Sequence, residues 1–235
     1  MSSDLDAKDQ PPMGDSPKDG GPVAPRKPFR NEGEETRRAA LIAATLDCIG
    51  EGGLQAATVR AIARRAGVTQ GLIRHYFPSK DHLIEVAYQA LMDRLTEDSQ
   101  AALAHAGDPC RRLGAFVRAV LGAHATDPAL LAAWAGFVGA LHRAPRLRAI
   151  HAANYLGFRE QLDALIGAAL ADAGRAADAP TLRRHGIAAT AVLDGLWLEG
   201  GLLPEAFEPS EIAELGLRAV AALLGLDLAS EGSLT

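Results

Sequence analysis

The run from Thr58 to Phe77, TVRAIARRAGVTQGLIRHYF, admits few folds. Thr58 is a candidate N-cap for a helix over Val59–Arg65, and Thr69 for a second, very short one ending near Tyr76. Gly67 lies between them, where a tight turn needs a residue that tolerates positive φ. Ala63 is small where the two helices would cross, Gly67 follows four positions later, and Ile73 six after that. A helix-turn-helix makes those three demands. Val59, Ile62 and Val68 complete an apolar floor, and Leu72 and Ile73 turn inward. At ~100° per residue Thr69, Gln70, Arg74 and His75 cannot all be buried as well, so the second helix presents a polar outer face.

Helical punctuation continues in both directions. A first helix is expected from about Glu34 to Ile49, ended by Gly50 and Gly52-Gly53. Pro78 stops the short helix, and Ser79 caps a long one reaching about His105. Asp108-Pro109 and Asp127-Pro128 each place a capping side chain before a proline at the first helical position. Pro145, Pro180 and Pro209 mark three more starts. No segment alternates with period two, so the expected class is all-α with about nine helices. The expected division is a disordered tail over 1–33, a helix-turn-helix domain over 34–78, a helical ligand-binding and dimerisation bundle over 79–226, and a tail over 227–235.

The net charge is −5, which read whole argues against a nucleic-acid partner. Its distribution reverses that reading. Residues 36–75 carry six arginines against Asp47 and Glu51, the clearly basic stretch of the chain. The patch Arg26-Lys27-Pro28-Phe29-Arg30 is either solvated linker or an arm for phosphates or a minor groove. Cys48 and Cys110 lack Cys-x-x-Cys spacing and read as ordinary thiols. The seven histidines form no i, i+4 pair, and each reads as an ordinary, partly exposed side chain. No metal or cofactor is expected. There is no Walker loop, no Gly-x-Ser-x-Gly and no His-Glu-x-x-His, which disfavours an enzyme. No apolar run reaches the ~18 residues of a membrane span, and a cytoplasmic location is expected.

The polar face of the second short helix suits duplex DNA. Gln70 can bond an adenine edge, and Arg74 a guanine edge or a phosphate. Lys80, unfavourable against the dipole in the first turn of its helix, suits a phosphate. The expected DNA-binding residues are Thr58, Thr69, Gln70, Gly71, Arg74, His75, Tyr76 and Lys80.

At this point residues 37–84, with TVRAIARRAGVTQGLIRHYFPSKDHLI at their centre, resemble the N-terminal domain of the TetR family of one-component transcriptional regulators. Relatives often keep a tyrosine, which usually touches a phosphate, where this chain has Arg74. The GLIRHYF form is more like the choline-responsive BetI branch. The segments AWAGFVGALHRAPRLRAIHAANYLGFREQL (133–162) and LDGLWLEGGL (193–202) are similar to the C-terminal regions of that branch. The resemblance implies a homodimeric repressor that binds a palindromic operator and releases it on binding a small-molecule inducer, with a quaternary amine such as choline as the candidate.

The body offers its own pattern. Trp134, Phe137, Tyr155 and Trp197 are expected to wall a ligand pocket, with core filling as the alternative for each. Beside acids such as Asp194 and Glu199 they would suit a cation. Ala188, Ala189, Ala191, Gly195, Gly200 and Gly201 permit close helix approach, and Leu215, Leu217, Val220, Leu223 and Leu224 supply apolar area. The family implies that these last two helices form a two-fold four-helix interface. A helical protein-interaction module without DNA binding, and a helical ligand-handling enzyme, remain as alternatives.

Overall fold

The structure, a computed structural model, describes residues 29–103, 107–122, 127–208 and 210–228. All nine long elements among them are helices: α1 (Phe29–Ala56), α2 (Val59–Arg65), α3 (Gln70–Tyr76), α4 (Lys80–Leu103), α5 (Pro109–Val120), α6 (Pro128–Val138), α7 (Pro145–Asp172), α8 (Ala179–Leu202) and α9 (Glu211–Leu224). A single 3-10 turn, Pro204–Ala206, follows α8. The caps follow the local chemistry. Asp108 and Asp127 accept hydrogen bonds from the backbone N–H groups of Arg111 and Ala129, each ahead of a proline at the first helical position. Asp178 caps α8 in the same way, one residue earlier than the start marked by Pro180, because Ala179 separates acid from proline.

Three expected boundaries move. α1 begins at Phe29, so the expected limit at residue 33 falls inside a helix. The same helix runs past Gly50 and breaks only at Gly52-Gly53, where Gly53 takes φ 70°. At the other end Leu228 is buried, so the folded part outlasts the expected limit at residue 226. Residues 1–28, with most of the basic patch, the expected end of α4 near His105, and Pro209 lie outside the described residues.

Two apolar cores organise the chain. The first gathers Leu41, Ile49, Ile62, Ile73, Phe77 and Tyr88 from α1 to α4 and their junctions, together with Leu130, Phe137 and Leu147 from α6 and α7. The helix-turn-helix therefore does not own its core. α6 lies close against α1: a Cβ on Gly136 would stand 2.9 Å from the carbonyl oxygen of Ile49. That approach is open only to glycine, and it ties the head to the body through backbone contact. The second core is built from α5, α7, α8 and α9, around Phe116, Leu162, Ile166, Leu193 and Leu217. α4 runs between the two and feeds Leu83, Tyr88 and Leu91 into the first. Each fully buried large side chain contributes about 1.5–3 kcal/mol, so the head is held in place chiefly by apolar burial.

Candidate DNA interface and effector cavity

The turn between α2 and α3 is built as its sequence demands. Gly67 takes φ 65°, and the N–H groups of Gly67 and Val68 donate to the carbonyls of Arg64 (3.3 Å) and Ala63 (3.0 Å). This is a Schellman ending, which needs the left-handed residue that glycine supplies. Ala63 and Ile73 are buried at the crossing, with Val68 packed against them. α3 is thereby held with one face outward. Gln70, Gly71, Arg74 and His75 are all exposed on it, in a sector of about 140° to one side of the buried Ile73.

The other expected residues divide. Thr58 accepts a hydrogen bond from the N–H of Ala61 at 3.1 Å, which uses an acceptor site and leaves its hydroxyl proton free. Thr69 occupies the N-cap position of α3 but its side chain makes no cap bond, a correction to its expected role; the exposed hydroxyl is uncommitted. Tyr76 is half-buried, packed against the first core with its ring edge-on to His75. It lies on the inner side of α3, apart from Gln70 and Arg74. Lys80 opens α4, whose first turn is capped by Ser79 accepting from the N–H of His82 at 3.0 Å. Among the described residues Arg60, Arg64, Arg74 and Lys80 enter no ion pair, whereas Arg65 is spent on Glu51 and Asp47. The free cations flank α3, which concentrates positive charge where its polar face looks out.

Between the two cores lies a cavity of about 320 Å³, reached by α4, α5, α6, α7 and α8. Trp134, Tyr155 and Trp197 line it. The two indoles meet edge-on, 5.3 Å apart. Phe137 does not join them: its ring is fully buried and stacks on Tyr88, 4.3 Å away, as part of the first core. Helical spacing puts Trp134 and Phe137 almost one turn apart, but α6 is wedged between α1 and α8 and offers them to different sides. Asp194 lines the cavity and Glu199 does not.

Four polar residues climb α7 at intervals of four: His151, Tyr155, Arg159 and Asp163. Tyr155 donates a hydrogen bond to Asp194 at 3.3 Å and receives one from Arg159 at 3.2 Å. Arg159 also donates to Thr190 at 3.0 Å. Asp194 is accessible at the cavity, yet desolvation by the surrounding protein pushes its carboxyl up, against the pull of Tyr155, Arg159 and His151. Burial likewise keeps His151 below the ordinary imidazole range, opposed by Asp194. Asp194 is the acidic side chain lining the cavity, and the aromatic faces of Trp134, Tyr155 and Trp197 beside it suit a cation. His151 and Asn154 were not legible as site residues; the four-residue spacing from His151 to Asp163 was the available signal. The second histidine-free wall, Met92, Leu95, Val120 and Phe158, is apolar.

The small residues of α8 expected to permit close helix approach point to different sides. Ala189, Gly200 and Gly201 are buried, and a Cβ on Gly201 would lie 2.8 Å from the Leu131 side chain of α6. Leu217, Val220 and Leu224 of α9 are likewise internal. Facing outward instead are Ile187, Ala191, Gly195, Leu198 and Leu202, with Leu223 on α9.

Comparison with known proteins agrees with both halves of this description. Residues 41–87 match the model of bacterial regulatory proteins of the tetR family, and residues 109–225 that of the BetI-type transcriptional repressor C-terminal part. The HTH-type transcriptional regulator BetI of Paraburkholderia phytofirmans is 34% identical over 175 residues, 74% of this chain and 86% of that protein. A transcriptional regulator of Pseudomonas aeruginosa PAO1 superposes with a TM-score of 0.73 at 35% identity, covering 82% of this chain and 90% of that one. A regulator from Saccharomonospora viridis, solved in complex with choline, shares the fold with a TM-score of 0.61 at 15% identity over 81% of this chain and 96% of its own.

Proposed function

This chain belongs to the TetR family of bacterial regulatory proteins, with a C-terminal part of BetI type, and from that premise we propose that it is a cytoplasmic, ligand-responsive dimeric repressor. The observation that carries the reading is the outer face of α3, where Gln70, Gly71, Arg74 and His75 stand exposed above a buried Ile73. Gln70 and Arg74 read base edges in the major groove, while Thr58, Thr69 and Lys80 bind phosphates on either side. Tyr76 fixes the height of the helix through its packed ring and offers only its hydroxyl to the backbone.

Two copies bind one palindromic operator, because a two-fold dimer sets two recognition helices about one helical turn apart. The outward apolar stripe of α8 with Leu223 of α9 supplies the interface. The inducer occupies the cavity, where Trp134, Tyr155 and Trp197 present aromatic faces beside Asp194; a quaternary amine such as choline fits that chemistry. It lowers operator affinity by binding more tightly to a state whose heads are wrongly spaced. No step of this role is catalytic.

The test is titration of duplex DNA from the chain's own upstream region, followed by anisotropy at several salt concentrations with and without choline. Sequence-preferring binding with a steep salt dependence is expected, weakened by ligand. Binding that ignores sequence, or none, would end the regulator reading.

A further inference from the structure

The cavity extends well beyond its cation-binding end. One end is marked by Asp194, Tyr155 and the edge-on pair of Trp134 and Trp197. One turn further along α7 the lining residue is Phe158, whose ring lies 5.4 Å from that of Phe116 in the second core. α4 runs alongside α7 in the same direction, since Tyr88 meets His151, Gln89 meets Asn154 and Gln100 meets Gln161. Leu95 and Thr96 therefore stand level with Phe158, and Ala119 and Val120 of α5 close the far side. Among the described residues, no charged side chain lines that far end.

At about 320 Å³ the cavity falls in the range of ~300–1,000 Å³ that accommodates drug-sized ligands. A choline-sized cation held at Asp194 would leave the Phe158 end empty. A fatty carboxylate would fill that end, but it would bring a second anion toward Asp194, and among the described residues no arginine or lysine lines the cavity to receive it.

We propose that the effector is a cationic amphiphile, with an ammonium group at Asp194 and an alkyl tail lying along Phe158 toward Val120. This rests on the reading of the cavity as the effector site. The ammonium sits against the Asp194 carboxylate among the aromatic rings, and the tail removes Leu95, Val120 and Phe158 from water.

Calorimetry on the full chain, without DNA, tests it with n-alkyltrimethylammonium ions from methyl to octyl. Affinity should rise about fourfold per added methylene until the far end is full, then level off. Ala119→Phe should abolish that rise while leaving tetramethylammonium binding unchanged; Thr96→Phe repeats the test if the first variant misfolds. Asp194→Asn should weaken every cation tenfold or more and leave the slope intact. Affinity that is flat or falls with chain length overturns the proposal, as does a neutral alcohol of equal length binding as well as the cation. Because no DNA is present, a chain that binds the series but no operator would sink only the regulator reading.

Discussion

The hydroxyl of Tyr88 and Nδ1 of His151 share a hydrogen bond of 2.8 Å. Tyr88 is fully buried in the core that also holds Ile62 and Ile73 of the helix-turn-helix, and His151 lines the cavity. One polar contact thus joins the floor on which α3 rests to the wall of the cavity. Beside it, Gln89 and Asn154 exchange amide hydrogen bonds of 3.2 Å, and Gln100 and Gln161 do the same farther along. The α4–α7 seam is therefore rich in directional contacts that have a few discrete arrangements, which is what a helix needs if it is to shift between two states.

Tyr88→Phe should separate stability from signalling. Phenylalanine keeps the stack on Phe137 and removes the hydroxyl, leaving Nδ1 of His151 without that partner. A loss of about 1–2 kcal/mol in urea denaturation is expected. Operator affinity should stay within a few-fold of the parent, while the weakening of DNA binding by ligand shrinks. Unchanged induction in this variant would show that the contact carries no coupling.

His151 also predicts a pH dependence. Burial holds its folded-state pKa below the ordinary 6.5, so the folded protein favours the neutral ring. As pH falls below 6.5 the unfolded chain takes up the proton first. Stability present above that value is then lost progressively down through the folded pKa. Asp194, pushed up by desolvation, acts in the opposite sense at lower pH. Denaturation midpoints at about pH 7.5 and pH 5.5 should fall apart in the parent and draw closer in His151→Gln. An equal fall in both proteins would assign the acid sensitivity elsewhere.

Much of the fold was legible because the informative residues act locally. Thr58, Asp108 and Asp127 cap because a short oxygen-bearing side chain reaches the next N–H groups whatever lies around them. Gly67 marks the turn through its own φ. The body was harder, since a side chain's neighbours there come from distant helices. Phe137 and Trp134 share a helix and a chemistry, and only the seating of α6 decides that one fills core and the other walls a cavity. His151 drew no notice because its partners, Tyr88 and Asp194, lie on two other helices. Small residues of α8 were visible, but their direction was not: Gly201 admits Leu131, while Gly195 faces outward.

On α3, Gln70→Ala and Arg74→Ala remove exposed side chains and should leave thermal stability unchanged. Loss of a good base contact costs about 1–3 kcal/mol of discrimination. Gln70→Ala should therefore relax preference at one operator position with little effect on salt dependence. Arg74 decides between two roles. If it grips a phosphate, Arg74→Ala lowers the slope of log affinity against log salt by about one and weakens all sequences alike. Anisotropy on the operator and on a scrambled duplex distinguishes the outcomes, and an affinity unaltered by both substitutions would remove α3 from the interface.

Gly67→Ala tests the turn itself. A Cβ there meets nothing within 4 Å, so the cost is conformational rather than steric crowding. Holding a left-handed residue with a Cβ costs about 1–2 kcal/mol. Gly67→Asn should lose less, because asparagine visits that region more readily. Melting temperatures of the three proteins should order Gly, Asn, Ala; an alanine variant as stable as the parent would mean the turn can rearrange.

The outer face of α8 bears on assembly. At ~100° per residue Ile187, Ala191, Gly195, Leu198 and Leu202 fall in one stripe, which spans about 22 Å at 1.5 Å per residue. Leu202 is 62% and Leu198 42% exposed, an unusual apolar surface for an isolated helix face. Ala191 and Gly195 at its centre allow a second α8 to cross closely. An antiparallel crossing there would bring Arg184 of one copy toward Glu199 of the other, and neither enters an ion pair among the described residues. Ile187→Arg and Leu202→Arg each place a charge in that stripe without disturbing the buried side of the helix. Sedimentation should show the parent as a dimer and the double variant as a monomer with unchanged helicity. Operator affinity should drop at least a hundredfold, since each head would then bind its half-site alone. Gly195 and Leu198 lie both in the stripe and in the cavity wall, so the monomer should also bind effector with altered affinity. A double variant that remains dimeric would move the interface off α8, and with it the proposed route from Asp194 to the spacing of two heads.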